Sequence, residues 1–128
     1  MLGKVYHTGY FTDDAEKATD FHVKTFGGEV LKWVHNPNGG KISFVKMGDS
    51  EVEIIEPGDK SGLAGKSGLI IDHIGYVVKD IDAEIAALKA KGIHFQSEAP
   101  TVNAFGNRMI FLDTADTLGT RIHLTEVK

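Results

Sequence analysis

The segment IIDHIGYVVKDIDAEI, residues 70–85, sets a histidine inside an apolar run that reads as a β-strand and then turns helical at an acidic residue. An imidazole is an odd occupant of a strand interior. Upstream, KVYHTGYFTDDAEKA, residues 4–18, has the same outline. At an offset of 66 residues, His7 aligns with His73, Gly9 with Gly75, Tyr10 with Tyr76 and Asp14 with Asp80. A chain that repeats itself in this way is built from two copies of one supersecondary unit.

Each copy continues alike. A helix is predicted from DDAEKATDFHVKTFGG, with Ala18, Phe21 and Thr25 on one face and a stop at Gly27 and Gly28. A second is predicted from DIDAEIAALKAKG, with Ile81, Ile85 and Leu88 on one face and a stop at Gly92. Acidic residues open both helices, where the macrodipole favours them, and glycine closes both. Strand-like runs follow: GEVLKWVH, KISFVKMG and SEVEIIEP in the first copy, GIHFQSE, NRMIFLD and TRIHLTEV in the second. NPNGG and MGDS mark turns between them.

The reading is an α+β fold of two β-α-β-β-β modules, residues 1–56 and 69–128, joined by the Gly- and Ser-rich linker 57–68. Neither module has enough apolar surface to stand alone, so the two are expected to form one compact domain. Their strands would make a curved mixed sheet, a cup with the helices on its outer face.

Bulk properties agree. A chain of 128 residues suits one domain, and 41% hydrophobic with 25% charged residues is ordinary for a globular protein. The formal charge of −4 favours neither nucleic acid nor an anionic membrane. No apolar run nears the length of a membrane span, and no signal-peptide pattern opens the chain, so a cytoplasmic protein is expected. Cysteine is absent, which rules out disulfides and thiolate metal sites.

Successive strand side chains point to opposite faces. Ile74, Tyr76 and Val78 therefore share one face, and His73 and Gly75 the other. Val52 and Ile54 oppose Glu51 and Glu53; Ile122 and Leu124 oppose Arg121 and His123; Tyr6 and Tyr10 oppose His7 and Gly9. Each strand has one face suited to a helix and another carrying His or Glu. If the sheet curls, His7, Glu53, His73 and His123 point inward, a donor set for a divalent metal such as Zn, Ni, Co, Mn or Fe. A lone strand histidine is ordinarily half-buried and bonded to a neighbour, and pattern alone leaves that alternative level with the metal. His22, His35 and His94 lack this placement and read as surface or packing residues.

With these residues in place, the chain resembles the vicinal oxygen chelate superfamily, which spans glyoxalase I, methylmalonyl-CoA epimerase, ring-cleaving dioxygenases and bleomycin-type resistance proteins. The likeness covers nearly the whole chain. It is nearest to the epimerase and glyoxalase I, in VEIIEPGDKSG and in FGNRMIFLDTADTLGTRIHLTEV. The resemblance places the family's metal ligands on His7, Glu53, His73 and His123. Two positions depart from it: the last ligand is usually Glu where this chain has His123, and Asn38 stands where the epimerase carries a base Glu. Asn cannot abstract a carbon-bound proton.

The resemblance implies a metal-dependent isomerase, epimerase or lyase acting on a small α-oxo or thioester substrate through an enolate or enediolate. Its alternatives are a ring-cleaving dioxygenase and a non-catalytic binder. It also implies a homodimer and a small-molecule partner. Glu53 is the expected base, with Glu51 in reserve. Asn107 and Arg108, after Gly106, are candidate substrate contacts, although a turn at the start of a strand would place the same residues there.

Overall fold

The computed structural model describes residues 2–128. Its elements are β1 (Val5–Thr12), α1 (Ala15–Phe26), β2 (Glu29–His35), β3 (Lys41–Met47), β4 (Ser50–Glu56), β5 (Leu69–Val78), α2 (Ile81–Ala90), β6 (Thr101–Val102), β7 (Arg108–Phe111) and β8 (Arg121–Glu126). The α+β class and the duplicated β-α-β-β-β order are those expected from the sequence. Among the described residues no helix is long and apolar enough to cross a membrane.

The chain divides into two compact units. One runs from His7 to Asp72; the other combines residues 2–6 with His73–Lys128. The division crosses β1 and β5, so the start of the first repeat goes with the second unit. Gly3 N–H donates to Val77 O at 2.7 Å, and Val77 N–H to Lys4 O at 2.9 Å. The linker falls in the first unit and carries a short 3-10 turn at Lys60–Leu63.

In the first unit the strand order is β2-β3-β4-β1, with β1 and β4 parallel and the other pairs antiparallel. Its core is Ala15, Ala18, Val45 and Ile54, with Trp33, Met47 and Val52 against it. In the second unit the order is β5-β8-β7-β6, again with the first and last strands of the module, β5 and β8, parallel. Its core is Val78, Ile81, Ile110, Leu112 and Leu124, with Ile85 and Leu88 of α2 packed on it.

Matching devices start both helices. Asp14 accepts Lys17 N–H at 3.1 Å, and Asp80 accepts Ala83 N–H at 3.0 Å. A glutamate at the end of the module's last strand reaches the next free donor: Glu56 accepts Ala15 N–H and Glu126 accepts Ile81 N–H, both at 2.8 Å. Each carboxylate satisfies an orphan helix N–H and meets the positive end of the dipole. Glu126 is therefore occupied on the helix side, where its strand parity placed it.

Two local expectations are corrected. The buried stripe of α1 is Ala15, Ala18, Thr19 and His22, whereas Phe21 and Thr25 are exposed. Those four stand at i, i+3, i+4 and i+7, and three of them are small, which lets the helix lie close to the sheet. Thr19 and Ser43 hydroxyls meet at 2.7 Å across that contact. The segment GIHFQSE is not a strand. It is fastened to the edge of β7 by a Phe95–Leu112 bridge and by Gln96 N–H donating to Phe111 O, then turns away where Ser97 Oγ donates to Ala99 O before Pro100. Proline has no N–H to continue a ladder, and pairing resumes only at β6.

Candidate metal centre

In the first unit β1 and β4 run in parallel with His7 opposite Glu51 and Gly9 opposite Glu53. His7 is buried, and its Nε2 lies 3.6 Å from Glu53 Oε1. Phe44 of β3 is the cross-strand partner of Glu53 and is itself buried.

The second unit repeats this arrangement. His73 stands opposite Arg121, Gly75 opposite His123, and Phe111 is the cross-strand partner of His123. His73 and His123 are both buried, with ring centroids 5.2 Å apart. Phe111 presents its ring edge-on or face-on to both, at 5.6 Å from His73 and 5.0 Å from His123. The matched registers explain why His-x-Gly recurs. A Cβ on Gly75 would lie 2.6 Å from His123 Nε2 and closer still to Cε1. The ring of His123 occupies the space that any other residue at 75 would fill.

Thr125 Oγ lies 3.0 Å from His123 Nδ1. With Nδ1–H donating to the hydroxyl, Nε2 keeps its lone pair for a metal. Burial, then the nearby His73, then the Arg121 charge lower the His123 pKa from 6.5 to about 3. The ring is thus neutral and ready to coordinate well into acid.

This shift has a consequence for stability. The unfolded chain takes a proton at His123 below about pH 6.5 that the folded chain refuses. The contribution is full above that value and is lost progressively as pH falls toward 3. The urea midpoint of metal-free protein should fall between about pH 7 and pH 5, and with a shallower slope in His123→Gln. Equal slopes in the two proteins would assign the acid sensitivity to other groups.

The expected substrate contacts are tied into the fold. Arg108 shares the helix-packed face with Ile110 and forms a two-pronged pair with Asp82 of α2, both bonds 2.9 Å. Asn107 is buried; its N–H donates to Asn103 Oδ1 at 3.0 Å, and its Oδ1 accepts Lys128 N–H at 3.1 Å. Asn38 closes its own turn by accepting Gly40 N–H at 2.9 Å. His22 is a packing residue, its Nδ1 2.8 Å from Ala18 O. His35 stacks on Trp33, and His94 pairs at the surface with Asp116, 3.0 Å away. Sequence reading passed over Gly75, Phe111, Thr125 and Arg121 as site residues. Strand parity already put Arg121 beside His123; its relation to Phe111 needed the structure.

Buried imidazoles, with a carboxylate beside His7, are donors of the kind that could hold a divalent metal. The profile of the Glyoxalase/Bleomycin resistance protein/Dioxygenase superfamily matches residues 6–111. The mitochondrial methylmalonyl-CoA epimerase of Homo sapiens is 33% identical over 98% of this chain and 74% of its own length. That of Bos taurus is 32% identical over 98% and 75%. A Streptomyces coelicolor methylmalonyl-CoA epimerase variant in complex with 2-nitronate-propionyl-CoA superposes with a TM-score of 0.84, at 25% identity over 98% of both chains. A methylmalonyl-CoA epimerase in complex with methylmalonyl-CoA and ammonium gives 0.85, at 25% identity over 98% of this chain and 95% of the other. The chain belongs to the glyoxalase/bleomycin resistance protein/dioxygenase superfamily and is an enzyme of its epimerase type.

Proposed function

We propose that His7, Glu53, His73 and His123 together hold one divalent metal ion. We propose further that the chain epimerises an acyl thioester of the methylmalonyl-CoA kind at the carbon between its two carbonyl groups. The observation that carries this reading is the repeated pairing: in each module a first-strand histidine stands beside the donor of the last strand, and that donor is opposite a glycine. Three neutral imidazoles and one carboxylate suit Zn, Ni, Co, Mn or Fe. When bound, such an ion supplies Lewis-acid stabilisation for the negative charge that grows on the substrate's carbonyl oxygen.

The protein's own residues supply the rest. Glu53 takes the proton from the carbon, leaving the C–H electron pair in the enolate; protonation of the opposite face by solvent water inverts the centre, and Glu53 gives its proton back to the hydroxide left behind, which restores the base. With Nδ1–H donating to Thr125 Oγ, the His123 ring keeps Nε2 unprotonated.

Metal-reconstituted protein should exchange the C2 proton of methylmalonyl-CoA with deuterium from solvent, and chelator-stripped protein should not. Oxygen uptake with a catechol would favour a ring-cleaving dioxygenase instead. Binding without exchange across thioesters, α-oxo acids and hemithioacetals would favour a binding protein.

A further inference from the structure

The two modules differ behind their last-strand donors. Glu53 and His123 hold matching places, opposite Gly9 and Gly75. Two residues further along each strand, and so on the same face, stand Ile55 in the first module and Thr125 in the second, opposite Phe11 and Val77. A hydrocarbon follows the carboxylate, and a hydroxyl follows the imidazole. Donor chemistry accounts for the difference. A carboxylate offers either oxygen to a metal and has no tautomer to choose. An imidazole coordinates only through the nitrogen that carries no proton, so its other nitrogen needs a partner. Thr125 is fully buried, and its Oγ lies 3.0 Å from His123 Nδ1. Phe111 bounds the same ring at 5.0 Å, and the missing side chain of Gly75 makes room for its Nε2 edge.

Histidine at 123 alters what the donor set prefers. Imidazole nitrogen suits zinc and nickel, whereas manganese and magnesium are served by charged and neutral oxygen. Relative to a carboxylate, His123 removes both an anionic oxygen and a negative charge, and a hard ion loses on each count. We infer that His123, with Thr125 as its positioning residue, is the selectivity determinant of the metal centre and widens its preference for zinc and nickel over manganese and magnesium. The inference rests on the four-ligand centre proposed above and narrows the ions that it takes. Sites of nitrogen and oxygen donors bind zinc more tightly than manganese in general. The claim therefore concerns the margin between the two ions, and how much of that margin belongs to residue 123.

Chelator-stripped protein, titrated with zinc and with manganese against a chromogenic chelator, measures the margin directly. His123→Glu should narrow it, by strengthening manganese binding relative to zinc. If His123→Glu fails to fold, His123→Gln places an uncharged oxygen there and must narrow the margin, or the inference fails. Thr125→Val keeps the shape and removes the hydroxyl. It should weaken zinc binding about 10- to 100-fold, the usual cost of removing the outer partner of a ligating histidine, and Thr125→Ser should restore it. Nitrogen-15 shifts of the His123 ring in metal-free protein should show Nδ1 protonated in wild type and a mixture of tautomers in Thr125→Val. In the His123→Glu background, Thr125→Val should leave zinc affinity unchanged, because a carboxylate has no tautomer to hold. An equal loss in both backgrounds assigns Thr125 to packing and overturns its role. A margin that is the same in wild type and His123→Glu, with zinc bound by both, overturns the inference alone. Wild-type protein that binds neither ion overturns the metal centre itself, and the inference with it.

Discussion

Glu53→Gln should retain its metal and lose proton exchange by about 10²–10⁴-fold, the usual cost of removing a general base. The substitution separates two roles that one carboxylate would fill. A glutamine oxygen can still coordinate, and the side chain keeps its length and its place beside His7 Nε2. It cannot accept a proton from carbon. Metal content measured on the same sample as the exchange rate distinguishes the outcomes. Metal retained with exchange lost assigns the proton to Glu53. Metal lost along with exchange makes Glu53 a ligand first. Exchange that persists moves the base to Glu51, about 7 Å along the same face of β4, or to His123. Glu51 is the stronger of these, because His123 is buried and its lowered pKa makes it a poor proton acceptor.

The assignment of the base matters because of how this chain departs from its relatives' pattern. Asn38, at the position where the epimerase-like base was expected, spends its side-chain oxygen on Gly40 N–H inside its own turn. Histidine in place of glutamate at 123 removes a negative charge from the donor set.

Much of this was legible before any coordinates. The helices were visible because their acidic starts are caps: Asp14 and Asp80 accept helix N–H groups as their spacing predicts. The shared face of His7 with Gly9, and of His73 with Gly75, was visible because a strand's period of two leaves no freedom in which face a residue takes once its neighbours are buried. The face of α1 misled because Phe21 is the largest apolar side chain in the run, yet a helix pressed against a sheet needs small residues at the contact, and Ala15, Ala18 and Thr19 supply them. GIHFQSE has strand-like composition around Ile93 and Phe95, but it lies between Gly92, whose φ is +89°, and the turn before Pro100, so pairing there shrinks to one bridge. What one sequence withholds is register. That Gly75 faces His123, and that Arg121 rests over Phe111, follows from how β5, β8 and β7 are aligned, and parity alone does not say which residue lies across from which.

Register also yields the sharpest test of the histidine geometry, Gly75→Ala. The φ of Gly75 is not positive, so alanine is compatible with its backbone. At such a site the change should stabilise a protein by about 0.4–1 kcal/mol, through the unfolded chain's lost freedom. Here the new methyl would sit 2.6 Å from His123 Nε2, inside any permitted contact. The ring cannot swing aside without breaking its bond to Thr125 or pressing into Phe111. The sign should therefore reverse, to a loss of about 1–3 kcal/mol as for other overpacked cores. Zinc affinity, read by competition with a chelator, should fall about 10- to 100-fold, as when a partner that orients a metal-binding histidine is lost. His123→Ala supplies the control. In its background the ring is gone, and Gly75→Ala should return to neutral or mildly stabilising, so the double-mutant cycle isolates the clash. If Gly75→Ala destabilises both backgrounds equally, the glycine serves the strand and not the ring, and the His-x-Gly repeat loses its tie to metal binding.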